Sequence, residues 1–384
     1  MDAVELLKKM ISIDSVFPNE HKLAEFLENQ LQEMGFHTQR IAISENRFNV
    51  VGERGTTGRP ILFYGHMDTV PVYGQWQGSP FEPREDGDLL YGLGACDMKA
   101  GLAAILFACR QETERRIKVV FGVDEENDSA GAHAVVNSGF VKDCEVGICT
   151  EIATSGNNAI GPRAITLGRR GRCMLEIIVP GKSSHGASLE HGVNAITEAS
   201  KLAIELEKMN GNLGSHELLP APTQFVRTFS SDSGSLSVPD IAILNIDRHM
   251  VVPETPESIL ETMQNFIDGL YERGIFTEID GRRITVRIKP RDVPYLMPYV
   301  TSSDNPHAVL ISDIVRTQLG EPVYNYGRSV ADENIFSNAG IPMISIGPKG
   351  GNEHSANEWV SKSSYLQLIE VLKAYLAVVS KKGC

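Results

Sequence analysis

The chain has 384 residues, of which 42% are apolar and 22% charged, the balance of a folded globular protein rather than a disordered or fibrous one. Its formal net charge of −13 at pH 7 argues against nucleic-acid or anionic-membrane partners, since like charges repel. The length points to two domains, and no apolar stretch approaches the ~20 residues that cross a bilayer.

The start, Met1-Asp2-Ala3-Val4-Glu5, has neither a positive region nor an apolar run, so no signal peptide is expected. Cys96, Cys109, Cys144, Cys149, Cys173 and Cys384 show no framework spacing and read as free thiols of a cytoplasmic protein. Apolar spacing predicts helices over 3–10 and 20–35, the second closed by Gly35. Strands follow near 38–43 and 47–52. Pro60 to Gly65 reads as a buried strand delivering His66. Residues 75–95, rich in Gly, Pro and Asp, read as an active-site loop. A small-residue helix starts at Met98. Strands 117–122 and 146–149 deliver Glu125, Glu126 and Glu151. Strands alternating with helices predict an α/β fold with a mostly parallel sheet flanked by helices.

The pattern changes near 166. Strand 172–179, helix 192–209, strands 223–229 and 240–249, helix 256–272 and strand 284–290 give the order β-α-β-β-α-β of a ferredoxin-like α+β unit. Beyond it come helix 305–318, strand 322–326, helix 332–338, strand 342–346 and a C-terminal helix 362–380. Residues 1–165 and 290–384 are therefore expected to form one catalytic di-metal domain, with 166–289 inserted as a lid or dimerisation domain.

Five side chains stand where a two-metal hydrolase needs them: His66, Asp97, Glu126, Glu151 and His354, most of them just past an apolar or Gly-rich stretch. Nitrogen and oxygen donors without thiolates suit Zn²⁺, Co²⁺ or Mn²⁺. Asp97 has two oxygens and can bridge two ions ~3.5–4 Å apart. Asp68, two residues from His66, can orient the imidazole or act as a weak acid–base partner. Glu125 and Glu126 cannot both face one ion from extended backbone, so Glu126 is expected as ligand and Glu125 as general base. Singly, each has a plainer reading: Asp97 could cap the following helix, and the Glu pair could be a solvated turn. Their joint order at successive strand ends favours one site.

The segments Gly65-His66-Met67-Asp68-Thr69-Val70-Pro71, Tyr91 to Lys99, Glu125-Glu126, Thr150-Glu151 and His354 with Asn357-Glu358 resemble the co-catalytic zinc aminoacylase/carboxypeptidase family, which includes acetylornithine deacetylase, succinyl-diaminopimelate desuccinylase and glutamate carboxypeptidase-like hydrolases. The resemblance spans ~3 to ~380. It implies His66 and Glu151 on one metal, Glu126 and His354 on the other, Asp97 bridging and Glu125 as base. It also implies a lid that dimerises, and a lid histidine, His185 in Ser183-Ser184-His185-Gly186, that polarises the scissile carbonyl. Arg169 and Arg248 match stretches that bind a substrate carboxylate.

Two departures stand out. Leu236 occupies the place where relatives carry an Asn beside the lid histidine. Gly327-Arg328-Ser329-Val330-Ala331-Asp332 replaces a Gly-Thr-Ser-Asp-Ala stretch, which makes Arg328 a further anion-binding candidate. The expected function is hydrolysis of an amide in a small carboxylate-bearing substrate, N-acyl amino acid deacylation ahead of carboxypeptidase or dipeptidase action. The expected cofactor is a pair of divalent ions, zinc first, and the expected assembly a homodimer. Two-metal phosphoester hydrolysis is a distant alternative, since no phosphate-cradling loop is evident; a silent scaffold is another.

Overall fold

The computed structural model describes residues 1–152, 160–234 and 236–381. Cys384 lies outside them, and the five other cysteines are free and buried. The chain forms two compact units: Met1–Arg169 with Val300–Gly327 and Ala331–Cys384, and Arg170–Tyr299 with Arg328–Val330.

In the first unit the large sheet runs in the order His37–Ser44, Arg47–Arg54, Arg115–Gly122, Thr57–His66, Val146–Cys149, Met343–Ser345 and Ala164–Arg169, which Val323–Gly327 joins in parallel. The pairs from Arg115–Gly122 through Met343–Ser345 are all parallel. Their near-continuous apolar runs reflect burial on both faces. Helix Ala100–Ala108, apolar all round, packs between this sheet and helix Lys362–Lys381. Register then does the positioning. His66 pairs with Gly122 and Tyr64 with Cys149, so the residues that follow these three strands emerge at one edge of the sheet.

The stretch 75–95, read as an active-site loop, contains two short strands. Arg84–Asp86 and Leu89–Tyr91 pair into a small antiparallel sheet with Trp359–Ser361 and Gly350–Gly351. Three-residue strands are too short for a period to show. Their role is to seat the segment carrying His354 against the segment leading to Asp97. Helix Ala130–Asn137 and strand Ala164–Arg169 are likewise unread in the sequence.

The second unit is a four-stranded antiparallel sheet in the order Thr223–Ser230, Ile241–Met250, Gly171–Pro180, Thr285–Ile288. Helices Ala195–Met209 and Pro256–Glu272 bury Ala199, Leu202, Met263 and Ile267 in one core with Cys173, Leu175, Ile177 and Val179, the inward alternation of the central strand. This is the ferredoxin-like order.

In the first unit Gly131 lets helix Ala130–Asn137 meet the sheet: a Cβ there would stand 2.1 Å from the Val123 carbonyl oxygen and 2.6 Å from Asn49 Oδ1. Gly131→Ala should therefore destabilise the protein by about 1–3 kcal/mol through overpacking. A urea unfolding midpoint equal to that of the parent would contradict this reading.

Candidate metal centre

His66 closes its strand with its ring buried. Its Nδ1 lies 3.0 Å from the Asp68 carbonyl oxygen, a contact that only an Nδ1–H can use, so the Nε2 lone pair is left to face the cleft. Nε2 stands 3.1 Å from Asp97 Oδ1 and 3.2 Å from Glu151 Oε2. His354 Nε2 stands 3.2 Å from Asp97 Oδ2 and 3.0 Å from Glu126 Oε2. Asp97 thus turns one oxygen to each imidazole. The His354 side chain is 51% exposed, so the cleft is closed behind His66 and open beside His354. His354 itself has φ +57°, between Asn352 and Asn357 at +60° and +59°; left-handed backbone at a non-glycine residue stores strain, which tends to collect at functional sites.

Glu125 and Glu126 occupy a turn rather than extended chain. Asp124, at φ +75°, starts it, and its carbonyl accepts from Ser129 N at 2.7 Å. The Asp68 carboxylate is 3.7 Å from His66 Nδ1 but accepts the backbone N–H groups of Glu125 at 3.3 Å and Glu126 at 3.0 Å. Its carbonyl therefore orients the imidazole while its carboxylate holds the Glu pair. Burial pushes the Asp68 carboxyl up to about 6.

A residue given no role from sequence sets the Asp97 segment. Glu358 accepts from Gly94 N at 2.7 Å, Cys96 N at 2.8 Å and Asp97 N at 3.0 Å. Three N–H groups on one carboxylate fix the backbone from which Asp97 projects. Burial, then the charge of Asp97, pushes Glu358 up to about 8. The available signal was a glutamate beside the C-terminal histidine motif, directly before the apolar Trp359-Val360 strand.

Electrostatics report what the cleft prefers. Burial opposes the charge of Asp97, yet the hydrogen bonds from His354 and His66 hold its carboxyl below the usual range. Burial and the Asp97 charge push Glu151 up to about 7. Burial raises Glu125 well above the carboxylate range, with the Glu126 charge adding to it. The hydrogen bonds to Asp97 and Glu126 lift His354 to about 11, and His66 is raised despite its burial. The crowded carboxylates raise both imidazoles, so the cleft favours positive charge. The donors fit metal ions: ligands at zinc distances stand roughly 3.0–3.5 Å apart, as these do, and one ligand atom each from His66, Asp97 and Glu126 lies within 4.8 Å of the others. The set contains only nitrogen and oxygen.

The remaining sequence candidates lie elsewhere. Arg169, at a strand end in the first unit, is 6% exposed and pairs through Nε and Nη2 with Glu333 Oε1, both at 3.1 Å. Arg248, in the second unit, is 2% exposed and pairs with Glu254 Oε1 at 2.5 Å. Each guanidinium would have to leave an internal partner to meet a substrate. Arg328 is exposed in the second unit, and its carbonyl accepts from Arg170 Nε at 2.6 Å. His185 is exposed, its backbone bridged to Ser237. Its Nδ1 accepts from Ala187 N at 3.1 Å, which in the neutral ring leaves the proton on Nε2. Leu236 is 92% exposed, so it gives that histidine no polar neighbour.

Known proteins share this fold. The profile of peptidase family M20/M25/M40 matches residues 62–378. A succinyl-diaminopimelate desuccinylase of Nitratiruptor sp. is 25% identical over 98% of this chain and 100% of its own length. Among solved structures, a tripeptidase from Staphylococcus aureus superposes with a TM-score of 0.78 at 19% identity, covering 99% of this chain and 98% of that one. A dinuclear metal-binding peptidase from Bacillus subtilis gives 0.73 at 15% identity, covering 100% and 98%.

Glu358→Gln replaces one acceptor oxygen by an N–H₂ that faces backbone N–H groups. Metal affinity, read by calorimetric titration of metal-stripped protein, should fall about tenfold to hundredfold, as for other residues that brace ligands from behind. Unchanged affinity would show that the three N–H contacts do not govern Asp97.

Proposed function

The chain belongs to peptidase family M20/M25/M40 and is a metal-dependent hydrolase of amide bonds; from that premise we propose that it removes the acyl group from an N-acyl amino acid. The observation that carries this reading is Asp97, whose two oxygens face different imidazoles at 3.1 and 3.2 Å. His66 and Glu151 would hold one divalent ion, Glu126 and His354 the other, with Asp97 shared. Bound there, two ions, zinc first among the candidates, supply Lewis acidity to the scissile carbonyl and acidify the attacking water.

The chain's own groups do the rest. Glu125 takes the proton of the water as its oxygen bonds to the carbonyl carbon, then gives that proton to the amine nitrogen as the C–N bond breaks. Asp68 keeps Glu125 and Glu126 in register through their backbone N–H groups. His185 offers its Nε2–H to the developing oxyanion. Arg328, the exposed one of the three candidate arginines, meets the substrate carboxylate. The acyl-amino-acid preference is supported by the full-length likeness to a protein named as a desuccinylase; the peptidase fold relatives make a dipeptide or tripeptide the competing substrate.

A homodimer through the second unit completes the proposal. Among the described residues Thr223–Ser230 is an edge strand of its sheet, with Phe225 50% and Phe229 41% exposed, and an exposed sheet edge invites a second copy. No helix among the described residues is long and apolar enough to cross a membrane, and the buried free thiols accord with a cytoplasmic location.

Glu125→Gln should retain metal while turnover falls by about two to four orders of magnitude; wild-type turnover would remove Glu125 as the proton carrier. Across a panel of N-succinyl and N-acetyl amino acids, dipeptides and tripeptides with Zn²⁺, Co²⁺ or Mn²⁺ added, the N-acyl amino acids should show the highest kcat/KM. Peptides turned over faster would replace deacylation by exopeptidase action.

A further inference from the structure

Arg47 has no place in the chemistry above, yet it is the guanidinium most closely engaged with the segment before Glu125. It opens strand Arg47–Arg54. Its Nε donates to Glu20 Oε2 at 3.0 Å and its Nη2 to Glu20 Oε1 at 2.6 Å; the same Nη2 also donates to Asp124 Oδ1 at 3.0 Å. Both carboxylates are buried, and the Phe17 ring lies 4.4 Å below the guanidinium. Burial opposes the charge of Arg47, but the hydrogen bonds to Glu20 and Asp124 outweigh it and keep the group cationic.

Asp124 is the residue whose φ of +75° starts the Glu125–Glu126 turn. Its other oxygen, Oδ2, accepts from Ala130 N at 3.0 Å, at the start of helix Ala130–Asn137. Two residues beyond Arg47, and so on the same face of the strand, Asn49 holds both ends of this stretch: its Oδ1 accepts from Val123 N at 3.0 Å and its Nδ2 donates to the Gly131 carbonyl at 3.1 Å. Glu20 belongs to a segment stitched to the loop after His66, through Phe17 N to Thr69 O at 3.0 Å and Thr69 N to Ser15 O at 3.1 Å. The circuit closes at Asp68, whose carboxylate receives the N–H groups of Glu125 and Glu126.

We infer that Arg47 is a positioning residue for the reaction: by gripping Glu20 and Asp124 with one planar fork it sets the turn from which Glu125 meets the water. The inference rests on Glu125 being the proton carrier. A lysine keeps the charge but presents no fork: it lacks the second donor, Nε, with which Arg47 fixes the plane of Glu20 while Nη2 reaches Asp124. Displacement of a catalytic group by ~1 Å can cost ~100-fold in rate with little change in ground-state binding.

Arg47→Lys and Asp124→Asn test this, the asparagine tolerating the left-handed backbone while losing the charge that Arg47 holds. They are assayed beside Glu125→Gln on the fastest N-acyl amino acid of the panel, with metal content and thermal unfolding measured on each. Both variants should keep about two metal ions per chain, show KM within about twofold of the parent and lose about 10- to 100-fold in kcat. The double variant should lose no more than the worse single one, since both break the same link. A kcat within twofold of the parent in both variants overturns the inference, as does a loss matched by loss of metal or of folded protein. If Glu125→Gln is inactive while these variants turn over normally, only the positioning role fails. Parental turnover in Glu125→Gln overturns both readings.

Discussion

Asp97 stands between two imidazoles that are far apart in the chain. One carboxylate oxygen faces an imidazole at the end of a central strand and the other faces an imidazole more than 250 residues later. Around it the fold packs further carboxylates whose mutual repulsion positive charge relieves. Much else in the first unit serves to keep that crowd in place. Parallel strands in register release His66, Glu126 and Glu151 at one edge. A small antiparallel sheet lays the C-terminal segment beside the Gly-rich one, and Glu358 fixes the backbone of Asp97 from behind.

Two carboxylates near this centre work through backbone rather than through side-chain chemistry. Asp68 and Glu358 between them accept five N–H groups from the segments that present Glu125, Glu126 and Asp97. Anionic acceptors make stronger hydrogen bonds than neutral ones, and a buried carboxylate without such donors would be costly. The outcome is a scaffold in which acidic groups support other acidic groups, a tolerable arrangement only because amide dipoles and imidazoles are interleaved among them.

The parts legible in the sequence were those with a local signature. Continuous apolar runs marked the parallel strands, and the residues just past them formed the cluster: His66, Asp97, Glu126, Glu151 and His354 do converge. The inserted unit was legible as well, because its β-α-β-β-α-β succession has clear periods of two and of 3.6. What escaped depended on contacts distant in sequence. The Asp68 carboxylate was placed beside His66 because the two are neighbours in the chain, but its stronger partners lie 57 and 58 residues on. Glu358 was visible in its motif yet had no role until the strand pairing of Trp359 with Tyr91 brought it to Gly94. Arginine frequently binds carboxylates; sequence does not say whose, and for Arg169 and Arg248 the partner is a glutamate of the protein itself.

The placing of strand Met343–Ser345 bears on how this molecule comes into being. It lies between Val146–Cys149 and Ala164–Arg169, filling the sheet with residues that follow the inserted unit in the chain, whereas that unit is nearly continuous from Arg170 to Tyr299. During vectorial synthesis the inserted unit can complete its core while the surrounding sheet still has a gap along its middle. Translation beyond Ser345 closes that gap and goes on to deliver His354, so a chain cut short before this point has neither a finished sheet nor its second imidazole.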